Sequence, residues 1–169
     1  MPTRSAPGDI VGAWQAWLVT AGLQSVVAIV NSIIYWLDPM GVAQYTNATK
    51  SMPDAQPEGI ELIIRMATLG GLVFALVLCG VFVAIAYQMR AGKSWARFVL
   101  LVGTVYVAVQ AFMMFFATGD SPQANASLAL QFIHGGALIF SATAAVAGLI
   151  LASTQESLKY FGLIREGNS

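Results

Sequence analysis

The sequence has few charged residues, a single cysteine and a single histidine. Only 9% of its 169 residues are charged, whereas soluble domains carry about 25%. So few charges cannot cover a water-facing surface, and a net charge of zero gives no electrostatic case for binding nucleic acid. One cysteine, Cys79, cannot form an internal disulfide, and it is interpreted as a small packing residue. Because CxxC and HExxH patterns are missing, neither a metal site nor a cofactor is expected.

Apolar residues, in contrast, make up 57% of the chain and occur in long runs. A membrane-spanning helix needs roughly 20 such residues. Four segments are long enough, covering residues 14–37, 60–88, 98–118 and 127–153. All four are predicted to be helices, because lipid cannot satisfy an open backbone. We therefore predict an all-α, integral membrane four-helix bundle in which residues 1–169 form a single membrane domain.

The distribution of basic residues predicts how the bundle sits in the membrane. Six of the eight basic residues fall on one side of the predicted spans: Arg4, Arg90, Lys93, Arg97, Lys159 and Arg165. The positive-inside rule then places both termini in the cytoplasm, residues 38–58 in an outer loop and residues 154–169 in a cytoplasmic tail. A capping-box pattern from Ser153 to Glu156 favours a short helix on the inner membrane surface; a frayed tail is the alternative.

Polar residues inside the predicted spans share a narrow range of depth. Counting 1.5 Å per residue along each helix brings them to a common layer below the outer boundary. This predicted polar layer consists of Asn31, Glu61, Arg65, Gln110, Gln131 and His134. Helical spacing also gives each span one stripe of polar or small residues and leaves the other faces apolar, as lipid contact requires.

Two interpretations of the polar layer remain open. An ionised side chain within the hydrocarbon costs about 2.5–3.5 kcal/mol, so Arg65 must be paired, hydrated or directed outwards, and Glu61 at i−4 is its expected partner. The layer either holds the helices together, at about 0.6 kcal/mol per interhelical hydrogen bond, or lines an outward-facing pocket for a head group, a quinone or a proton. Small residues are predicted to permit close helix approach, either within the chain or with a partner chain, in the fourth and second spans: Ser141, Ala145, Gly148, Gly70, Gly71 and Gly80.

Two short motifs resemble a group of small membrane proteins. The link MRAGKSWARF, residues 89–98, is similar to the basic Gly-Lys-x-Trp-Ala-Arg loop of small four-span actinobacterial membrane proteins. The tail stretch SLKYF, residues 157–161, resembles their Ser-x-x-Tyr-Phe ending. The resemblance implies an actinobacterial plasma (inner) membrane. The physical chemistry of the link separately predicts that Arg90, Lys93 and Arg97 meet anionic lipid head groups.

The leading functional hypothesis is a non-catalytic accessory subunit or assembly factor of a larger membrane complex, respiratory or envelope-related. It follows from the small size and the lack of a soluble domain. The alternative is a protein that handles a small molecule, quinone, lipid head group or proton through the predicted polar layer. An enzyme ranks third, because the sequence shows no carboxylate pair at membrane depth. Expected partners are the lipid bilayer and either a larger complex or further copies of the chain.

Overall fold

The computed structural model describes residues 6–37, 57–114, 116 and 127–162, and all regular structure in these ranges is helical. The helices are α1 (Gly8–Leu37), α2 (Pro57–Arg90), α3 (Ser94–Met114), α4 (Leu128–Ala152) and α5 (Gln155–Tyr160). The first four are long and apolar enough to cross a membrane. This confirms the predicted all-α class and indicates a multi-pass membrane protein.

The helices differ from the predicted spans mainly at their ends. α1 begins at Gly8 instead of residue 14, and only residues 91–93 separate α2 from α3. Gly92 makes this tight connection with a φ of 86°, in the left-handed region that glycine adopts without steric cost. Most of the predicted outer loop 38–58 lies outside the described residues, as do residues 163–169 of the tail.

The four long helices form a ring of antiparallel neighbours. α1 lies between α2 and α4 and has its most extensive contacts with α4, while α3 lies between α4 and α2. Of the four neighbouring pairs, α2 and α3 make the fewest contacts, although the shortest link joins them. We call the end of the bundle at Gly8 and Arg90 the basal end, and the end at Leu37 and Leu128 the distal end.

A packed core closes the basal end. Its fully buried side chains come from all four long helices: Ile10, Ala13, Trp17, Ala86, Met89, Ala96, Leu100 and Ala152. The indole Nε1 of Trp17 donates a hydrogen bond of 3.3 Å to the Thr104 hydroxyl, which joins α1 to α3 across the bundle. Because Trp17 reaches the centre of the ring, it connects helices that are not direct neighbours.

Small residues set the distance between α1 and α4. The predicted stripe Ser141, Ala145 and Gly148 is buried in this contact, as expected. At Gly148, an added Cβ would lie 3.2 Å from the Trp17 ring, so no larger residue fits without displacement.

The predicted small residues of α2, in contrast, face away from the other helices of the chain. Gly70, Gly71 and Gly80 are exposed, and an added Cβ at any of them would meet no atom of the structure within 4 Å. The buried residues that the structure describes on α2, Ala86 and Met89, both lie near its basal end. Most of α2 therefore packs only loosely against the other helices.

The short helix α5 folds against the basal end. Its N-cap is Thr154, whose hydroxyl accepts from the Ser157 backbone N–H, whereas the predicted cap Ser153 ends α4 instead. The buried Ser157 hydroxyl donates to the Leu151 carbonyl at 2.8 Å. The Tyr160 hydroxyl donates to the Arg90 carbonyl at 3.1 Å, which ties the tail to the end of α2.

Candidate functional site

A cavity of about 850 Å³ lies between the four long helices, from the middle of the bundle towards its distal end. Along α1 it extends from Thr20 to Ile34, a length of about 21 Å at 1.5 Å per residue. Small-molecule sites typically have volumes of about 300–1,000 Å³. The cavity is therefore large enough for a lipophilic ligand.

The walls of the cavity differ from one side to the other. Every lining residue from α1 and α4 is buried or partly buried, so these helices form a closed wall. On α2 and α3, several lining residues are about half exposed or more: Leu78 (51%), Val81 (49%), Tyr106 (66%) and Met113 (58%). Since these two helices also make the fewest contacts with each other, the cavity opens sideways between them. We call these four residues the lateral opening.

Four of the six residues of the predicted polar layer line this cavity. Asn31 projects from α1, Gln110 from α3, and Gln131 and His134 from α4. Helical phase and depth thus bring together side chains that are far apart along the chain. All four lie in the distal part of the cavity, because each is closer to the distal end of its helix than to the basal end.

The amide of Gln110 has an unused acceptor. Its Oε1 is buried, and within the described part of the chain it has no hydrogen-bond partner. A buried unsatisfied polar atom costs about 1–3 kcal/mol. A ligand that donates a hydrogen bond to this oxygen would recover that free energy.

The lining carries no permanent charge. No aspartate, glutamate, lysine or arginine occurs among the described residues that line the cavity. Two further polar lining residues already have hydrogen-bond partners: the Gln24 amide donates to the Ser141 hydroxyl of α4 at 3.1 Å, and the Thr20 hydroxyl to the Ala16 carbonyl of its own helix at 3.0 Å. An ion would lack a counter-charge here, so the lining favours an uncharged polar group.

Glu61 and Arg65, the charged members of the predicted polar layer, do not line the cavity. They form the expected i,i+4 ion pair, but the pair lies on the outside of α2. The Arg65 guanidinium also lies 5.1 Å from the ring centroid of Trp36. The long arginine side chain can point away from the apolar interior and keep its charge near the polar boundary, which the shorter amides cannot do.

The three basic residues of the α2–α3 link lie at the basal end, away from the cavity. Arg90 is exposed, with its guanidinium 4.6 Å from the ring centroid of Trp14, and Lys93 is exposed as well. Arg97 is partly buried and donates to the Ser153 hydroxyl at 3.3 Å. Arg90 and Lys93 are thus free to meet lipid head groups, whereas Arg97 joins α3 to the end of α4.

Several lining residues of α2 are not polar and were not predicted from the sequence. Ala75, Cys79 and Phe82 continue the spacing of three and four residues that Thr68 and Leu72 begin on one face of the helix. Extending that spacing along α2 would have identified them. Cys79 in particular lines the cavity, where the sequence suggested only a packing residue.

Phe82 and Gly103 bring α2 and α3 together at the floor of the cavity. A Cβ added at Gly103 would lie 2.5 Å from Cε2 of the Phe82 ring. The missing side chain therefore allows the aromatic ring to pack directly against the α3 backbone.

No protein-family model, curated protein or solved structure matches the chain. The resemblance to actinobacterial four-span proteins stays a prediction. Within residues 6–37, 57–114, 116 and 127–162, no group of three or more His, Cys, Asp or Glu side chains is placed to hold a metal ion.

Proposed function

We propose that the protein is a non-catalytic, multi-pass plasma-membrane protein that binds a small lipophilic molecule in the cavity between its helices. The observation that carries the proposal is the meeting of Asn31, Gln110, Gln131 and His134 in one cavity of about 850 Å³. Because these residues border the cavity, their polar groups can reach a molecule bound inside it. With both termini in the cytoplasm, the cavity lies in the outer half of the bilayer.

Binding is favoured over catalysis because the reactive groups of the lining lie at different heights. Cys79 and His134 are the candidate nucleophile and base. Counted at 1.5 Å per residue from the basal ends of α2 and α4, they differ in height by about 10 Å. A nucleophile and its base must lie within hydrogen-bonding distance, about 3 Å. The two groups are therefore not arranged as a catalytic pair.

The proposal is tested by filling the cavity. Ala75 lines it, whereas Ala84 on the same helix is exposed and does not. The full-length protein, Ala75→Phe and Ala84→Phe are purified in a mild detergent and weighed by native mass spectrometry. We expect the parent and Ala84→Phe to retain one bound lipophilic molecule per chain and Ala75→Phe to lose it. The proposal fails if all three chains carry the same bound mass or none does.

A second proposal, the accessory subunit, is supported by the exposed glycines of α2. Gly70, Gly71 and Gly80 leave open space on its outer face, and small residues of this kind permit close approach by another membrane helix. At native expression, the protein should migrate on a native gel as a complex larger than one chain. Gly80→Phe should dissociate this complex, whereas Val77→Phe, also at an exposed position of α2, should not. A parent protein that migrates as a single chain contradicts this proposal.

A further inference from the structure

The geometry of the cavity points to both the class of its ligand and its route. We infer that the ligand is an uncharged amphiphile, with a hydrogen-bonding head group on a long apolar tail, and that it passes from the lipid through the lateral opening between α2 and α3. The inference rests on the proposed function and specifies the ligand that the function requires.

The position of the lateral opening gives the route. Leu78 and Val81 on α2 and Tyr106 and Met113 on α3 are the lining side chains with about half or more of their surface exposed. They lie within the spanning helices, so in a bilayer they face lipid tails and not water. The basal end is closed by the core around Trp17, and α1 and α4 form the closed wall. A molecule dissolved in the bilayer therefore meets an apolar opening that leads into the cavity.

The distribution of polarity inside the cavity gives the orientation of the ligand. The amides and the imidazole of the lining lie towards the distal end, whereas Phe82 and Ile85 on α2 lie on the floor nearer the basal end. A ligand with one polar end matches this arrangement when its head group lies beside Gln110 and its tail extends towards Phe82 or out through the opening. The cavity measures about 21 Å along α1, which accommodates a chain of a dozen or so carbons.

The charge of the lining restricts the head group. Gln110 offers a buried acceptor without a partner, and no fixed charge lies among the described lining residues. A phosphate, carboxylate or ammonium head would lose its hydration without gaining a counter-charge. A hydroxyl group can donate to the Gln110 oxygen, whereas a carbonyl group can only accept, from amide N–H groups of the lining. Neutral glycerides carry both kinds of group, and quinones carry the carbonyl alone.

Cys79 provides a direct readout, because it lines the cavity and is the single cysteine of the chain. The full-length protein in phosphatidylcholine nanodiscs is treated with N-ethylmaleimide, and alkylation is followed by intact mass. The uncharged probes are decylubiquinone and monoolein; the charged probes are dodecyl phosphate and dodecyltrimethylammonium. Cys79→Ser gives the background. At about ten times its Kd, a bound probe should slow alkylation about tenfold.

We expect an uncharged probe to protect Cys79 and both charged probes to leave alkylation unchanged. Protection by decylubiquinone alone identifies a quinone site, and protection by monoolein alone a glyceride site. Equal protection by the charged probes overturns the inference. Protection by no probe also overturns the inference. The proposed function is decided separately, by native mass spectrometry: it survives if Ala84→Phe carries the bound molecule and Ala75→Phe does not.

The route is tested at two matched leucines of α2. Leu78 belongs to the lateral opening, whereas Leu76 is exposed without lining the cavity. After the protecting probe is mixed with the protein, Leu78→Trp should delay the onset of protection severalfold, and Leu76→Trp should not. Met113→Trp narrows the same opening from α3 and should delay the onset of protection in the same way. If one of the two variants folds poorly, the other still tests the route. Equal onset in all variants rules out the lateral route.

Discussion

The basal and distal halves of the bundle are made from the same four helices but packed in opposite ways. In the basal half, Trp17, Met89 and Leu100 are fully buried and fill the space between the helices. In the distal half, a small core formed by Val27, Ala111, Ala137 and Leu138 borders a cavity of about 850 Å³. Side chains fill the basal half, whereas the distal half leaves a space in which a ligand can bind.

The difference arises from where large and small side chains meet. In the basal half, the Trp17 indole fills the space at the centre of the four helices and packs against Gly148. In the distal half, the residues of α1 that face inwards include the small Ala28 and the polar Asn31, and the lining residues of α2 include the small Ala75. Side chains of this size do not reach across the bundle.

The largest expected contrast comes from the same truncation in each half. Leu100 in the basal core and Leu138 beside the cavity are both buried, at 0% and 3% exposure. Leu100→Ala should lower the free energy of unfolding by about 2–5 kcal/mol, because it leaves a new enclosed void. Leu138→Ala only enlarges an existing space, so its loss should fall below this range. Unfolding in mixed detergent and denaturant, followed by circular dichroism, measures both; equal losses would contradict the contrast.

A second contrast uses two glycines of α4. Gly148→Leu should lower the free energy of unfolding by about 1–3 kcal/mol, because its side chain overlaps the Trp17 ring. At Gly136, an added Cβ meets nothing within 4 Å, so Gly136→Leu should be neutral or raise stability by up to about 1 kcal/mol through better helix propensity. The same unfolding measurement applies, and a loss at Gly136 as large as at Gly148 would show that the distal half is packed as tightly.

The third expected effect has the opposite sign. Gln110→Leu removes the buried amide oxygen that has no partner within the described structure, so it should raise the free energy of unfolding of the ligand-free protein by about 1 kcal/mol. The same substitution should weaken protection of Cys79 by the uncharged probe. Gln15→Leu, at an exposed position of α1, is the control for the change in side-chain type. A loss of stability in Gln110→Leu would mean that the amide serves to join helices.

The smallest contrast concerns the hydrogen bond that crosses the basal half. Thr104→Val removes the acceptor of the Trp17 indole and should lower the free energy of unfolding by about 0.6 kcal/mol, the average for bonds between membrane helices. Thr143→Val removes a hydroxyl that bonds within its own helix, to the Ile139 carbonyl at 2.9 Å, and should change stability less. If the two variants behave alike, the Trp17 bond contributes nothing beyond packing.

The sequence predicts the spanning helices and the uncharged members of the site for a clear physical reason. Asn31, Gln110 and His134 have short side chains that cannot reach water from within a span, so helical phase alone directs them inwards. Arg65 is different because its long side chain places the charge outside the interior even from a similar depth. Depth and helical phase therefore predict the uncharged members of this layer but not the charged pair of Glu61 and Arg65.

The pattern of residue types does not predict the cavity itself. Leu78 and Val81 have the same chemistry as the lipid-facing residues around them, and only the separation of α2 from α3 makes them part of an opening. In the same way, Gly71 and Gly148 look alike in sequence, yet one faces outwards and the other contacts Trp17. Helix separation and rotation depend on all the contacts together, which local periodicity does not encode.

The contact between α5 and the α2–α3 link has a mechanical consequence. The Tyr160 ring covers Gly92, where an added Cβ would lie 3.4 Å from the ring, and the Tyr160 hydroxyl is bonded to the Arg90 carbonyl. This contact holds the tail against the link between the two helices. Leu78 lies about 18 Å along α2 from the end of that helix, beyond the place where Phe82 packs against Gly103. The tail therefore secures the closed end of the helix pair, and the lateral opening lies on the far side of the Phe82–Gly103 contact.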